Sequence, residues 1–412
     1  MNDVLVIGGG AAGMMASGTA AKNGAKVLLL EKNRKLGSKL RITGKGRCNL
    51  TNNCPVAGVL ENIPNGASFL HSVLNRFTPE DAIRFFESLD VLLKTERGNR
   101  VFPQSDSAVD VVNALRRFMD ENRVQVRFDR ASGIVVNNNR VTGVRTSSGT
   151  VDCDSVILAT GGKSYPATGS TGDGYKMAEE AGHTVTGLRG SLVPLEAQPE
   201  TCKRMQGLTL KNIRFSVFDG GKKPLFEDFG ELLFTHFGIS GPVVLSASAY
   251  INDYAGKKYY AEIDLKPALD EQKLDQRILR DFEKYSNRDF SNALGDLLSR
   301  LMIPVIIDRS GISPGTKVHS ITREQRLYLV RQIKGFRLDI DGPRPVEEAI
   351  ITSGGIELRE IEPKTMESKL VKGLFFAGEI IDADAYTGGF NLQIAWSTGF
   401  AAGNAAAVTG RV

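Results

Sequence analysis

A chain of 412 residues with 24% charged and 41% apolar residues has an ordinary globular composition and enough length for two or three domains. A net charge of +5 is too mild to imply nucleic acid or an anionic membrane as a partner. The four cysteines form no CxxC, which excludes a zinc knuckle or vicinal redox disulfide, and no 18-residue apolar run is present to span a bilayer.

The first predicted element is a short strand, Val4 to Ile7, apolar throughout as a parallel strand buried on both faces would be. Asp3 stands where a signal peptide would be basic, so a cytoplasmic protein is expected. Gly8, Gly10 and Gly13 then form G-x-G-x-x-G, followed by a helix opening at Ala11 and Ala12. The first glycine makes a tight turn, the second lets a pyrophosphate approach the backbone, and the third lets helix and strand pack closely. The helix N-terminus offers free N–H groups and a positive dipole end to phosphates. Lys26 to Leu30 reads as the second strand, with Glu31 at its tip, 18 residues after Gly13. A carboxylate there accepts both hydroxyls of an adenosine ribose, which favours FAD or NAD over NADP. A glycine turn serving packing alone is the alternative.

Residues 124–150 alternate like antiparallel strands joined by Asn-rich and Gly-rich turns, and residues 151–162 form a strand ending in Ala-Thr-Gly-Gly. "GGKSY" at 161–165 is no P-loop, because the position needing an earlier glycine is Ile157, inside the strand. Runs such as "IRFSVFD" and "KKYYAEIDL" are β-type, and the pattern turns helical after Pro267. Near the end, "GLFFAGE" reads as a strand, and "TGGFNLQIAW" opens a last helix.

The meander returning to an "ATGG" strand resembles the FAD domains of glutathione-reductase-like flavoproteins. In that class a late strand ends in Ala-Gly plus an acid, here Gly378 and Glu379. The last helix would aim its N-terminus at the pyrimidine side of the isoalloxazine and stabilise the reduced flavin. Gly388 and Gly389 would let the backbone approach the ring. A glycine-rich cap on a core-facing helix is the other reading.

Four longer blocks, at 37–52, 159–183, 231–248 and 351–403, together with the N-terminal fingerprint, resemble the BaiN/YhiN-like flavoproteins, also called the aminoacetone oxidase family. "TGKGRCNLTN" and the "TMESK" and "FAGE" segments carry most of that specificity. The resemblance implies an α/β fold: a discontinuous Rossmann-type FAD domain over 1–188 and 337–412, a β-rich, barrel-like insertion over 189–266, and a small helical domain over 267–336. It carries FAD contacts to Gly8, Gly10, Ala11, Ala12, Gly13, Glu31 and Lys32, with adenine against the backbone of Ala131. Gly44, Gly46, Arg47, Cys48 and Asn49 would wrap near the pyrophosphate and flavin. Thr160, Gly161, Gly378, Glu379, Gly389, Phe390 and Asn391 complete the expected lining. One departure stands out: where the family shows Asp-x-Asp-Gly, this chain has Asp382-Ala383-Asp384-Ala385. If that position needs positive φ, Ala385 is strained.

Three activities are compatible with these residues. The family's bile-acid-reducing branch implies reduction of an activated C=C bond in a 3-oxo steroid, with NADH or NADPH as electron source. An oxygen-using oxidase of a small amine is the second, and a non-catalytic FAD module acting in RNA modification or regulation the third. No second strand–GxGxxG–helix unit is present, so a pyridine nucleotide would have to visit the flavin without its own Rossmann domain. Candidate polar groups for the chemistry are Arg47 (holding a substrate carbonyl or the pyrophosphate), Tyr165 as proton donor, and His236 from the insertion. No metal-ligand spacing occurs.

Overall fold

The computed structural model describes residues 2–251, 254 and 256–409. It divides into two units, Met1–Ser191 with Val346–Val412, and Leu192–Pro345. Among the described residues no helix is long and apolar enough to cross a membrane.

The first unit is built on a parallel sheet. Gln125–Phe128, Val27–Glu31, Asn2–Ile7 and Gly149–Leu158 lie side by side in that order, and Leu374–Phe376 pairs parallel with the far side of the last. Val27 to Glu31 and Ser155 to Leu158 are buried at every position, as strands covered on both faces must be. Gly149–Leu158 has two uses. Its first half pairs antiparallel with Arg140–Thr146, which pairs in turn with Ala131–Asn137, while its second half sits in the parallel core. All five parallel strands therefore end at one edge, where open α/β sheets bind ligands.

Two helices cover the core at close range. A Cβ added at Gly399 of helix Phe390–Thr409 would lie 2.6 Å from the carbonyl oxygen of Ala12, and one at Gly403 would lie 2.5 Å from that of Ala16. Helix Ala11–Lys22 is thus gripped backbone to backbone, and its residues from Ala12 to Ala20 are all buried. Helices apolar on every side belong in such interiors.

The second unit contains a closed six-stranded barrel in the order Leu195–Ala197, Gly238–Ser240, Phe226–Phe234, Thr209–Phe218, Tyr259–Asp264, Phe336–Pro343. Two boundaries differ from the sequence reading. The chain does not return to the first unit at 337, because Phe336–Pro343 pairs with Tyr259–Asp264 and Leu195–Ala197 to close the barrel. Phe336, Leu338 and Ile340 point inward and Arg337 and Asp339 outward, and closure removes an edge that would otherwise be open. Nor do the barrel and the helices Glu271–Lys284, Ile303–Ser310 and Arg323–Lys334 form separate domains. Ile263, Leu274, Ile278, Leu329 and Phe336 belong to one buried cluster, so a cut at 266 would expose both sides.

His183 joins distant parts of the first unit. Its Nδ1 lies 3.0 Å from Glu360 Oε2 and its Nε2 2.8 Å from Ser368 Oγ, with the ring edge-on to Phe376. The N–H groups of Leu370 and Val371 donate to Ser368 Oγ, so that oxygen is committed to the turn and is no nucleophile. Its hydroxyl donates to Nε2, which leaves the proton on Nδ1 facing Glu360. Burial pulls the His183 pKa down, and this outweighs the upward pull of Glu360. The unfolded chain therefore protonates first. The stability His183 contributes is complete above about pH 6.5 and is lost as pH falls toward the lower folded value. Melting curves from pH 7 to 5 should show a falling Tm, and His183→Gln should flatten that slope.

Candidate functional site

The three glycines of the first turn do different work. Gly8 has φ +106°, and a Cβ there would lie 2.5 Å from the carbonyl oxygen of Ala159 on the neighbouring strand. At Gly13 a Cβ would lie 1.8 Å from Gly8's own carbonyl. Gly10 is different: its φ of −84° suits any residue, and a Cβ would meet nothing within 4 Å. The space in front of Gly10 is a cradle that a side chain would fill, beside the uncapped N-terminus of helix Ala11–Lys22. That is the donor set a pyrophosphate requires.

A cleft of about 1280 Å³, open mouth included, runs along the C-terminal edge of the parallel strands. Gly8, Gly10, Ala11 and Ala12 form its middle. Glu31, Lys32 and Ala131 line one part, and Thr160, Gly161, Gly378, Glu379 and Asn391 line another. Gly13 lies behind the wall, where it lets helix and strand meet. Buried Glu31 accepts from Gly9 N–H and Asn33 N–H, both at 2.7 Å, one on each oxygen. Each oxygen keeps a second acceptor site for a ribose hydroxyl. Lys32 is engaged by Asp173 at 3.0 Å and by Thr171. Thr160 Oγ1 is a buried hydroxyl without a hydrogen-bond partner, and it faces Gly174 behind the cleft wall. Turn, acid and cradle together fit FAD.

Glu379 is held by residues the sequence did not single out. Lys39 Nζ lies 2.6 Å from Glu379 Oε2, while Ser164 Oγ (3.0 Å) and Thr352 N–H (2.9 Å) donate to Oε1. Lys39 also donates to Ser164 Oγ at 2.7 Å. Lys39 lines the cleft, as does Thr43. Both fall inside the 37–52 block, whose likeness was the available signal, but nothing local marks Lys39 as Glu379's partner. Tyr165 does not line the cleft. Its backbone is left-handed (φ +52°), and its ring centroid stands 5.9 Å from Lys39 Nζ.

The 44–49 block acts as a buckle more than as a wall. With its amide oriented to satisfy its neighbours, Asn49 accepts from Gly389 N–H at 3.0 Å and donates to the carbonyls of Thr51 and Val101. Thr51 Oγ1 donates to Gln393 Oε1 at 2.6 Å, and Trp396 Nε1 donates to the Leu50 carbonyl at 2.8 Å. A Cβ on Gly389 (φ +97°) would lie 2.3 Å from the Thr51 carbonyl oxygen. This backbone contact by itself requires a glycine at 389. Phe390 is buried beyond the cleft, and Gly44 and Gly46 serve left-handed turns outside it. Cys48 is fully buried and its thiol is pushed up to about 12, so no thiolate forms.

Arg47 also lies outside the cleft. Its guanidinium binds Glu96 and Asp106 (2.6 Å) and stacks over Phe102, 4.2 Å from the ring centroid. The hydrogen bond to Glu96, then that to Asp106, raises its pKa. Its charge is spent there, which corrects its assignment to pyrophosphate or substrate. Arg47→Ala should retain flavin at wild-type stoichiometry with only a small drop in Tm, read from the absorbance ratio of the purified protein.

Ala385 shows no strain, since its φ is not positive. Asn391 brackets it, accepting from its N–H at 2.9 Å and donating to its carbonyl at 2.6 Å. Asp384 beside it is buried against Ser191, and burial raises its pKa. His236 belongs to the second unit, edge-on to Phe237, and the cleft is lined by first-unit residues alone.

Comparison with known proteins agrees with this geometry. The HI0933-like protein Rossmann domain family matches residues 2–405. The 3-dehydro-bile acid delta(4,6)-reductase of Clostridium scindens is 31% identical over 99% of each chain. The ribosomal RNA dihydrouridine synthase of Escherichia coli is 29% identical, over 97% of this chain and 96% of its own. Among solved structures, a flavocytochrome c3 fumarate reductase in its open conformation superposes with a TM-score of 0.54 at 19% identity. It covers 99% of this chain and 78% of its own, a likeness of fold. The chain belongs to the HI0933-like Rossmann family of FAD-binding oxidoreductases.

Proposed function

We propose that this protein reduces a C=C bond conjugated to a carbonyl, in a 3-oxo-Δ4 or Δ6 steroid or a substrate of like chemistry, with NADH or NADPH as electron source. The observation that carries the reading is full-length similarity to relatives named for saturating such bonds. Bound FAD would supply hydride to the β-carbon while a proton reaches the α-carbon, so that NAD(P)H, a proton and the enone become NAD(P)⁺ and the saturated ketone.

The chain's own residues have defined parts in this scheme. Gly8 to Ala12 hold phosphates by backbone N–H groups, and Glu31 holds the ribose. Thr160, Gly161, Gly378 and Glu379 shape the opposite part of the cleft, with Lys39 orienting Glu379. Asn391 fixes the 382–386 loop against the opening of the last helix. A second reading, oxidation of a small amine by oxygen, is favoured by one feature: the described residues contain no second strand–glycine-turn–helix unit for a pyridine nucleotide.

One experiment separates the two. Under anaerobic conditions, NADH or NADPH should bleach the oxidised-flavin absorbance, and an added 3-oxo-Δ4,6 steroid should restore it. Bleaching by amines alone, with recovery and peroxide in air, would replace the reductase by the oxidase.

A further inference from the structure

One buried hydroxyl in the wall of the cleft has no partner in the protein. Ser170 is 6% exposed and lines the cleft, and its Oγ makes no hydrogen bond among the described residues. A Cβ on Gly161, another lining residue, would lie 3.3 Å from that oxygen. A buried hydroxyl left unbonded beside a ligand cleft is one the ligand would satisfy.

Ser170 is carried by an arm, residues 163–172, on the way from strand Gly149–Leu158 to helix Asp173–Glu180. The two parts of the arm are held differently. At its root, the N–H groups of Lys163 and Ser164 donate to Thr352 Oγ1 at 2.7 and 3.1 Å, and Ser164 Oγ donates to Glu379. Ser164 and Thr352 are both buried. At its tip, Asn33 Nδ2 donates to the Thr168 carbonyl at 3.0 Å. Lys32 Nζ donates to Thr171 Oγ1 and to Asp173, and Arg130 Nη2 donates to Asp173 at 3.2 Å. Pro166, Ala167 and Thr171 are exposed between these ties. The tip thus has few buried contacts and can open while the root stays fixed. Gly172, at φ +82°, supplies the far hinge.

Sheet order gives the arm its path. Strand Asn2–Ile7 lies between Gly149–Leu158 and Val27–Glu31. The arm starts beyond the end of Gly149–Leu158, and its tip is tied to Lys32 and Asn33, directly after Val27–Glu31. It therefore passes the end of the middle strand, where the Gly8–Gly10 turn forms the cradle. Two strand spacings make this a reach of roughly 10 Å.

The geometry points to residues 166–171 as a strap that closes over the bound dinucleotide, latched by Lys32 and Asn33, with Ser170 Oγ bonding a phosphate or ribose oxygen. The inference rests on FAD occupying the cleft and is independent of the substrate reduced there. A closed strap bars entry as well as exit. Loosening the latch therefore speeds both and moves their ratio, the Kd, much less. Removing a group that only touches FAD speeds exit alone.

Stopped-flow mixing of FAD with the full-length apoprotein reads the association rate, and recovery of free-FAD fluorescence on dilution of the loaded protein reads dissociation. Asn33→Ala keeps the backbone N–H that holds Glu31 and loses only the tie to Thr168. It should raise both rates roughly 3–10-fold, as the loss of one partly exposed hydrogen bond allows. Lys32→Gln should also raise both. For this variant the sign is decisive, because losing a cation that merely attracts phosphates would slow association. Ser170→Ala should raise the dissociation rate several-fold and leave association alone. Arg145→Gln, which breaks an exposed pair with Glu180 at the other end of the helix, should match wild type in both rates. Failure of association to rise in either latch variant, or an equal rise in Arg145→Gln, would overturn the strap. An unchanged dissociation rate in Ser170→Ala would overturn its bond to the cofactor. Neither rate needs turnover, so a failed reductase assay leaves this test standing.

Discussion

Gly10→Val is expected to abolish FAD binding while leaving the apoprotein folded, whereas Gly13→Ala is expected to destabilise the apoprotein itself. The two glycines stand three residues apart in one motif, yet their surroundings are opposite. A Cβ at Gly10 meets nothing within 4 Å, and the backbone there already has an ordinary φ. Valine is therefore accommodated by the protein and excludes only what the cradle would hold. A Cβ at Gly13 falls 1.8 Å from a carbonyl oxygen on the adjoining turn, where backbone on both sides must move. Overpacking a rigid site costs about 1–3 kcal/mol or more, and a backbone clash belongs at the upper end. Isothermal titration with FAD and thermal melting of both apoproteins read the two effects apart. Gly10→Val should raise the Kd at least ~100-fold, equivalent to about 2.7 kcal/mol, with little change in Tm. Tight FAD binding by Gly10→Val would mean that the phosphates lie elsewhere.

Lys39→Met is expected to weaken FAD binding more than any surface lysine substitution, and Glu379→Gln in the same chain is expected to restore part of the loss. Lys39 and Glu379 keep only 23% and 12% of their side-chain surface in contact with solvent. Removing the lysine leaves a carboxylate in a nearly dry site, with only Ser164 and Thr352 to bond it. Breaking one side of a fully buried pair costs about 3–5 kcal/mol, and the partial exposure of Lys39 brings the expectation down to about 1–3. The double variant removes the stranded charge, so a coupling of roughly 1–2 kcal/mol should appear in the cycle. Purely additive losses would reduce the pair to two independent cleft-lining groups.

Arg47 and Lys39 show where reading the sequence ends. Both lie in the same recognisable block, ten residues or fewer apart, and look alike as isolated cations. Arg47 is neutralised by Glu96 and Asp106, which stand 49 and 59 positions away, and turns from the cleft. Lys39 meets an acid 340 positions away and faces into it. Neither partner is chosen by local periodicity or spacing. The same holds for Asn49 and Gly389, whose two motifs are each legible alone but whose hydrogen bond exists only after the sheet assembles.

The sequence by itself determined the strand, glycine turn, helix and acid of the first thirty residues, because each obeys a local rule. A buried parallel strand is apolar, a tight turn needs φ that only glycine tolerates well, and a carboxylate ends the next strand. It also determined the discontinuous α/β plan through its family resemblance. Tertiary structure decided the rest. The strand at 336–343 closes a barrel because the barrel would otherwise have an open edge, which moves the return of the chain from 337 to 346. Ala385 escapes strain because Asn391 closes its loop from the next helix. Each of these outcomes depends on which groups share a space once the chain is folded, and long-range packing and hydrogen bonding settle that, not composition or period.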